Sequence, residues 1–453
     1  MEKLKVGYGS VVINPEMGAP IFGYYVPRYV KGYLDDLTVS VLAVNCNDTT
    51  VLMISVDNLG IEQHVIDGIA KEIAATTGIT ASNVYISATH THTGPFAHMF
   101  DMFPIDPADV EKYAAFLTVR AAEAAKLALV DLKPAKMGYA VGKAPDRIAY
   151  IRRYRMKDGS VMTCPPVNDP NIDHPIGTLD QRVNVLRFDR EGGSSIVIMN
   201  YGLHADTIGG ELVSADWIYW VKKTLKVALD GTECMCFVGA QGDVGSTNVY
   251  PTKGDMNDTE ISFDNEMKSP GMARFVGRAL AGTILQVYDK VEYVDVDEIG
   301  IIQKNLRVPA NVPAKEDLPR AHEYKKLHEE GRDDLIPFEA MELNTVVAEA
   351  LRMCRMEHGP DHYDLPLSGV KIGPVAFIGI PGEPFTDIGV KIKETEGWDL
   401  ICPTICTNSY EGYFPSKEAF DEGGYEARTS PYVGTISGDI INCAREILSE
   451  LKG

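Results

Sequence analysis

Four apolar, strand-like runs in this 453-residue chain each lead into a loop that carries chemistry. Tyr85–Ala88 leads into His90 and His92, and Ile196–Met199 into His204. Cys236–Ala240 leads into the glycine-rich loop Gln241–Asn248, and Ala376–Ile380 into Glu383. A fifth run, Val51–Val56, is apolar throughout, as in a strand buried on both faces, and ends at Asp57. Helical spacing fills the intervals at 62–77, closed by Gly78, and at 108–131, 215–229, 271–290, 387–395 and 438–451. This alternation predicts an α/β fold, a mixed β-sheet core flanked by helices. Ligand-binding groups of such sheets collect beyond the carboxyl ends of the strands, so the active site is expected there. Residues 135–180 read as irregular. The charged segment 314–358, with a break near Gly331, reads as a helical insertion or lid within a single domain spanning residues 1–453.

Charge and composition remove several function classes. Lys plus Arg number 43 against 64 Asp plus Glu, a formal net charge of −21. Such a surface repels phosphate backbones and anionic lipid, so no nucleic-acid partner is expected. No apolar run is long enough to span a bilayer, which argues against stable membrane insertion. The first residues, Met1 to Gly7, carry no apolar signal core, and a cytoplasmic location is expected. The eight cysteines are few and irregularly spaced, and are read as buried thiols rather than a disulfide framework or a structural zinc site.

Each loop residue taken alone has an ordinary reading. His204 suits a satisfied core histidine, Glu383 a turn acid, and Arg147 a surface ion pair. The loop at Gly242 is not a phosphate-binding P-loop, because no lysine follows its glycines. Taken together, His90, His92, His204 and Glu383 all follow strands. Two or three histidines with one carboxylate form a ligand set suited to catalytic zinc. Zinc acidifies a bound water and polarises a carbonyl, which suits hydrolysis.

The combination resembles the neutral/alkaline, non-lysosomal ceramidase family of zinc amidases. The matching stretches are Ala88-Thr89-His90-Thr91-His92-Thr93-Gly94-Pro95, the loop from Asp146-Arg147, Tyr201–His204, Gly242-Asp243-Val244, Pro381-Gly382-Glu383, Asn408–Tyr413 and Gly424–Ala427. They occur in the family's order, and the likeness runs from about Val6 to the last helix. It implies a divergent, bacterial-type catalytic domain. It also implies zinc held by His90, His204, Glu383 and Tyr413. His92, Arg147 and Tyr425 would line the site and meet the substrate carbonyl or the developing oxyanion. Three features depart from the family. Gly245 stands where the family's loop has its catalytic serine, and Ser246 comes one position later. No secretion signal is seen. The chain also stops where the family commonly adds a C-terminal β-sandwich domain.

The resulting expectation is a zinc-dependent hydrolase that cleaves the linear amide of a small-molecule N-acyl substrate, with zinc-bound hydroxide as nucleophile and Ser246 as a possible helper. Ceramide itself is not required. The same groups would serve an esterase or lactonase, and the loss of the loop serine leaves room for a non-catalytic metal- or ligand-binding protein.

Overall fold

The computed structural model describes residues 4–96, 105–252 and 268–453. Its largest sheet has nine strands. Eight follow the spatial order Glu233–Val238, Ile196–Tyr201, Arg182–Arg190, Lys133–Lys143, Lys5–Val12, Thr38–Cys46, Thr49–Val56 and Val84–Ala88, and Glu292–Val294 adds to Lys133–Lys143. The pairs at the two ends of this order are parallel, and those between are antiparallel. A second sheet runs Ile299–Pro309, His362–Ile372, Val375–Gly379, Leu400–Thr404, and only its last pair is parallel.

The two sheets stack face to face. Along Thr38–Cys46 the side chains alternate. Val39, Val41 and Ala43 join a core with the helices, while Leu42 and Val44 join a core with the second sheet. The helix-side core takes Leu117 and Ala121 from Pro107–Val130, Val221 from Asp216–Ala228 and Leu280 from Pro270–Tyr288. The core between the sheets joins Met53 and Phe237 to Val370, Phe377 and Cys402, and the Phe237 and Phe377 rings meet at 5.8 Å. On the outer face of the second sheet, Ala376 and Ile378 pack with Ile388 of Thr386–Lys393 and Ile447 of Ile436–Lys452. The layers are therefore helix, sheet, sheet, helix. The expected α/β class holds, with one addition. The face of the main sheet opposite its helices is covered by a second sheet.

The chemistry-bearing strand ends do not lie side by side on one flat edge. They belong to the two parallel end pairs of the large sheet and to the second sheet. Strand twist of roughly 20–25° per neighbour accumulates over so many strands and turns the end pairs toward each other. Ser55 Oγ donates to Cys236 O at 2.8 Å across the gap. The segment after Leu400–Thr404 then fits between the ends: Ile405 N donates to Val238 O at 3.0 Å, and Ala88 N to Cys406 O at 3.1 Å. The three groups of strand ends meet there.

Residues 135–180 correct the reading of an irregular region. Lys133–Lys143 is an eleven-residue strand in the middle of the large sheet. The helices Leu318–Glu329 and Ala340–Met356 lie between the first two strands of the second sheet. No helix among the described residues is long and apolar enough to cross a membrane. All eight cysteines are free. Six are buried as expected, but Cys164 is exposed and Cys354 half-buried.

Candidate metal centre

The strand Val84–Ala88 stops two residues before His90, so the two histidines lie on a turn rather than on the strand itself. His90 adopts a left-handed backbone, φ 63°, a strained conformation for a residue with a Cβ. Hydrogen bonds hold it there: Thr89 N to Val56 O and His90 N to Asn58 O, each 2.9 Å. The turn still brings the two imidazoles together, with Nε2 atoms 3.3 Å apart and rings at 86°. His204 follows Ile196–Tyr201, and Glu383 follows Val375–Gly379. Both are buried, as are His90 and His92.

Hydrogen bonding fixes which ring nitrogens face the centre. His90 Nδ1 lies 2.7 Å from Leu59 O. His204 Nδ1 lies 3.0 and 2.9 Å from the carbonyls of Gln241 and Val244. A carbonyl only accepts, so each Nδ1 carries the proton and donates. Burial and the charge of Arg152 push His204 down to about 4, which makes it neutral at pH 7. Its Nε2 is therefore a bare lone pair, consistent with Arg152 Nη1, a pure donor, at 3.2 Å. Glu383 Oε2 sits 3.1 Å from His90 Nε2 and 2.9 Å from His204 Nε2. With both Nδ1 atoms turned to carbonyls, both Nε2 atoms face the Glu383 carboxylate, a donor set suited to a cation. Ligand atoms about 2.0–2.1 Å from a tetrahedral zinc ion lie about 3.3 Å apart, close to these separations. The ligand atoms of His90, His92 and His204 all fall within 4.8 Å of one another, so this buried group could hold a metal ion.

His92 differs from its neighbour. Its Nδ1 has no hydrogen-bond partner among the described residues, and Asp206 Oδ1 lies 3.8 Å from it. No backbone carbonyl sets its tautomer, so its Nε2 is free to donate. Asp206 is itself held by Tyr24 and Lys268.

The remaining expected residues are placed as follows. Tyr413 is buried, and its strand Tyr413–Phe414 pairs with Glu383–Pro384, with Tyr413 directly beside Glu383. Arg152 lies 5.3 Å over its ring. Tyr425 opens a short helix, its hydroxyl 3.1 Å from that of Tyr25. Tyr413, Tyr425, His90, His92 and Glu383 line one cavity of about 530 Å³. Ser246 lines a separate, smaller cavity with Arg152, His204 and Asp206. Arg147 is exposed and donates to Thr252 Oγ1 at 2.6 Å, and it is not among the residues lining either cavity.

Two side chains that the sequence reading passed over reach the centre. Arg152 donates to Glu426 Oε1 at 2.8 Å and Gly242 O at 2.7 Å, besides approaching His204. Glu426, fully buried, also accepts from Thr163 at 2.7 Å. Tyr410 donates to Glu383 Oε1 at 2.7 Å and stacks on His90 with rings 5.8 Å apart. Gln241 Nε2 adds a longer bond to Glu383 Oε2 at 3.4 Å. Tyr410 lies inside a motif stretch, which was its signal; Arg152 had none beyond its charge.

No family model and no curated protein matches the chain. Solved structures do. A neutral ceramidase from Pseudomonas aeruginosa superposes with a TM-score of 0.74 at 16% identity, over 99% of this chain and 74% of that one. A ceramidase complexed with C2 superposes at 0.73 and 15%, over 99% and 75%. Over almost its whole length, this chain has the fold of these ceramidases.

Proposed function

We propose that this protein is a zinc-dependent hydrolase that cleaves the linear amide bond of a small-molecule N-acyl substrate, on a single catalytic domain into which the helical segment 314–358 is inserted. The observation that carries the reading is the convergence of His90 Nε2 and His204 Nε2 on Glu383 Oε2, at 3.1 and 2.9 Å. The fold shared with ceramidases supports the choice of an acyl–nitrogen bond. His90, His204, Glu383 and Tyr413 would hold the ion. A bound zinc ion supplies Lewis acidity toward water and a carbonyl.

The protein groups do the rest. Leu59, Gln241 and Val244 carbonyls hold the two histidine ligands in the required tautomer. His92 and Tyr425 line the cavity, and the His92 imidazole and the Tyr425 hydroxyl would serve as donors for the substrate carbonyl and the charge it gains. Arg152 keeps a positive charge beside His204, a role for which we prefer it to the exposed Arg147. Ser246 lies on the Arg152 side of His204, where it could assist through those two residues. A cytoplasmic location belongs to the same proposal, and the eight free thiols suit a reducing compartment.

The test is metal analysis of the purified chain together with turnover of a panel of N-acyl amides, esters and lactones. One zinc per chain, amide turnover, and loss of both in His90→Ala are expected. A chain without stoichiometric zinc whose His90→Ala variant works like wild type would remove the proposal. Faster ester than amide turnover across the panel would move the reaction to an esterase.

A further inference from the structure

The cavity beside the ligand group is lined not only by His90, His92 and Glu383 but also by Arg352 and Arg355. Both belong to the helix Ala340–Met356, three positions apart and so on one face. Arg352 is 5% exposed. Its Nε and Nη1 donate to the carbonyls of Arg428 and Asn311, at 2.9 and 3.0 Å. It forms no ion pair among the described residues, and burial pushes its pKa below the usual arginine range. Arg355 is exposed, and its side chain makes neither a hydrogen bond nor an ion pair among the described residues. Burial pushes up the phenols of Tyr25, Tyr363 and Tyr432, which line the cavity, and the charge of Arg355 opposes that push on all three.

This is unusual in a chain of net charge −21. Acidic groups outnumber basic ones, and nearby arginines find them: Arg428 pairs with Glu342 and Glu349 at 2.6 and 2.5 Å. The other acids of the cavity are engaged. Glu62 pairs with His64 at 2.9 Å, and Glu411 accepts from Ser409 at 2.6 Å. Glu349 offsets the Arg352 charge only from a distance, because it is paired with Arg428, and a buried guanidinium without a carboxylate in contact is costly unless an anion joins it. Its planar fork matches carboxylate and phosphate oxygens.

We propose that Arg352 and Arg355 receive an anionic group, a carboxylate or a phosphate, at one end of the substrate. The compound cleaved would then be a negatively charged N-acyl amide rather than a neutral two-chain lipid. The volume, about 530 Å³, suits a molecule of that size. The proposal rests on the amide-hydrolase reading for the bond that breaks, though not for the charge that is recognised.

Matched probes test it on the zinc-loaded full chain. N-hexanoylglycine is compared with N-hexanoylglycinamide, and N-hexanoyl phosphoethanolamine with N-hexanoyl ethanolamine. The anionic member of at least one pair should have a kcat/KM roughly 10–100-fold higher, the range for hydrogen bonds to charged groups. The pair with the larger ratio identifies the anion. Arg355→Met should collapse that ratio and Arg355→Lys should restore part of it. Arg352→Met removes a buried group that also ties two backbone segments, so the exposed Arg355 carries the test. Equal kcat/KM within both pairs, or a preference that survives Arg355→Met, would overturn the proposal. If no probe is cleaved, the amide reading fails separately, and the same compounds become stable ligands for calorimetry. Tighter binding of the anionic member, lost in Arg355→Met, would then uphold the anion site, and equal binding would refute it.

Discussion

His90 and His92 have the same composition of neighbours in the sequence, yet their hydrogen bonds differ. His90 commits Nδ1 to a carbonyl and presents Nε2 to Glu383, whereas His92 has an unbonded Nδ1. The pairing of the two rings was legible, because a Thr-His-Thr-His stretch ahead of a Gly-Pro turn is rare chemistry at a strand end. The turn geometry that produces it, with His90 left-handed, was not. Arg152 was hidden for a related reason. It sits in Arg152-Arg153-Tyr154-Arg155, where nothing local separates the arginine that reaches His204 from its neighbours. Its assignment depends on Glu426, 274 positions away. Tyr410 gives the test at this scale. Its hydroxyl is a hydrogen-bond donor to Glu383 Oε1, and such partners of metal ligands typically account for 10–100-fold in metal affinity. Tyr410→Phe is expected to weaken zinc binding by roughly that factor, read by chelator competition, with the fold intact by circular dichroism. An unchanged zinc affinity would mean that Tyr410 merely packs against His90.

Elements that were read correctly are those whose pattern is set by one neighbour. Gln63–Thr77 shows apolar spacing and ends at the left-handed Gly78, φ 79°, as its sequence requires. Lys133–Lys143 shows no such pattern, because it is crowded from one side. A Cβ on Gly138 would come within 2.8 Å of Val291, and one on Gly142 within 2.5 Å of Thr283. The two glycines that admit these neighbours are the same residues that erase the strand's alternation. The loop after this region carries Asp180, which binds Arg182 Nε at 2.7 Å and, from the helix Thr386–Lys393, Lys393 Nζ at 2.9 Å. Burial alone would raise the Asp180 carboxyl, but the Arg182 and Lys393 contacts prevail and hold it at about 2. The folded value is depressed, so the stabilisation is fully present above the ordinary carboxyl range near 3.8 and is lost as pH falls through about 2. A shift of this size is linked to about 2 kcal/mol. Asp180→Asn should therefore be less stable by about 2 kcal/mol at pH 7 in urea titrations, and the gap should narrow between pH 4 and pH 2. A gap that stays constant through that window would locate its cause elsewhere than in the carboxylate charge.

At the scale of the molecule, apolar runs such as Val51–Val56 announced that both faces of the main sheet are covered, but not what covers them. A helix and a second sheet bury the same residue types, so the stacking of Met53 and Phe237 on Val370 and Phe377 is invisible to periodicity. The placement of the proposed ligands follows from this stacking. His90 and His204 come from the two ends of the large sheet, while Glu383 and Tyr413 come from loops after the second sheet's strands. An ion held by all four would tie layers that otherwise meet through side-chain packing, and its binding energy becomes folding energy. At free zinc a thousandfold above its Kd this linkage amounts to about 4 kcal/mol. Removing the metal with a chelator should lower the Tm by several degrees, reversibly on adding zinc back. His90→Ala should melt at one temperature whether or not zinc is present. If wild type with and without zinc melted together while zinc was shown to be bound, the ion would not be held across the layers, and a ligand set confined to the neighbouring histidines would replace the four-residue one.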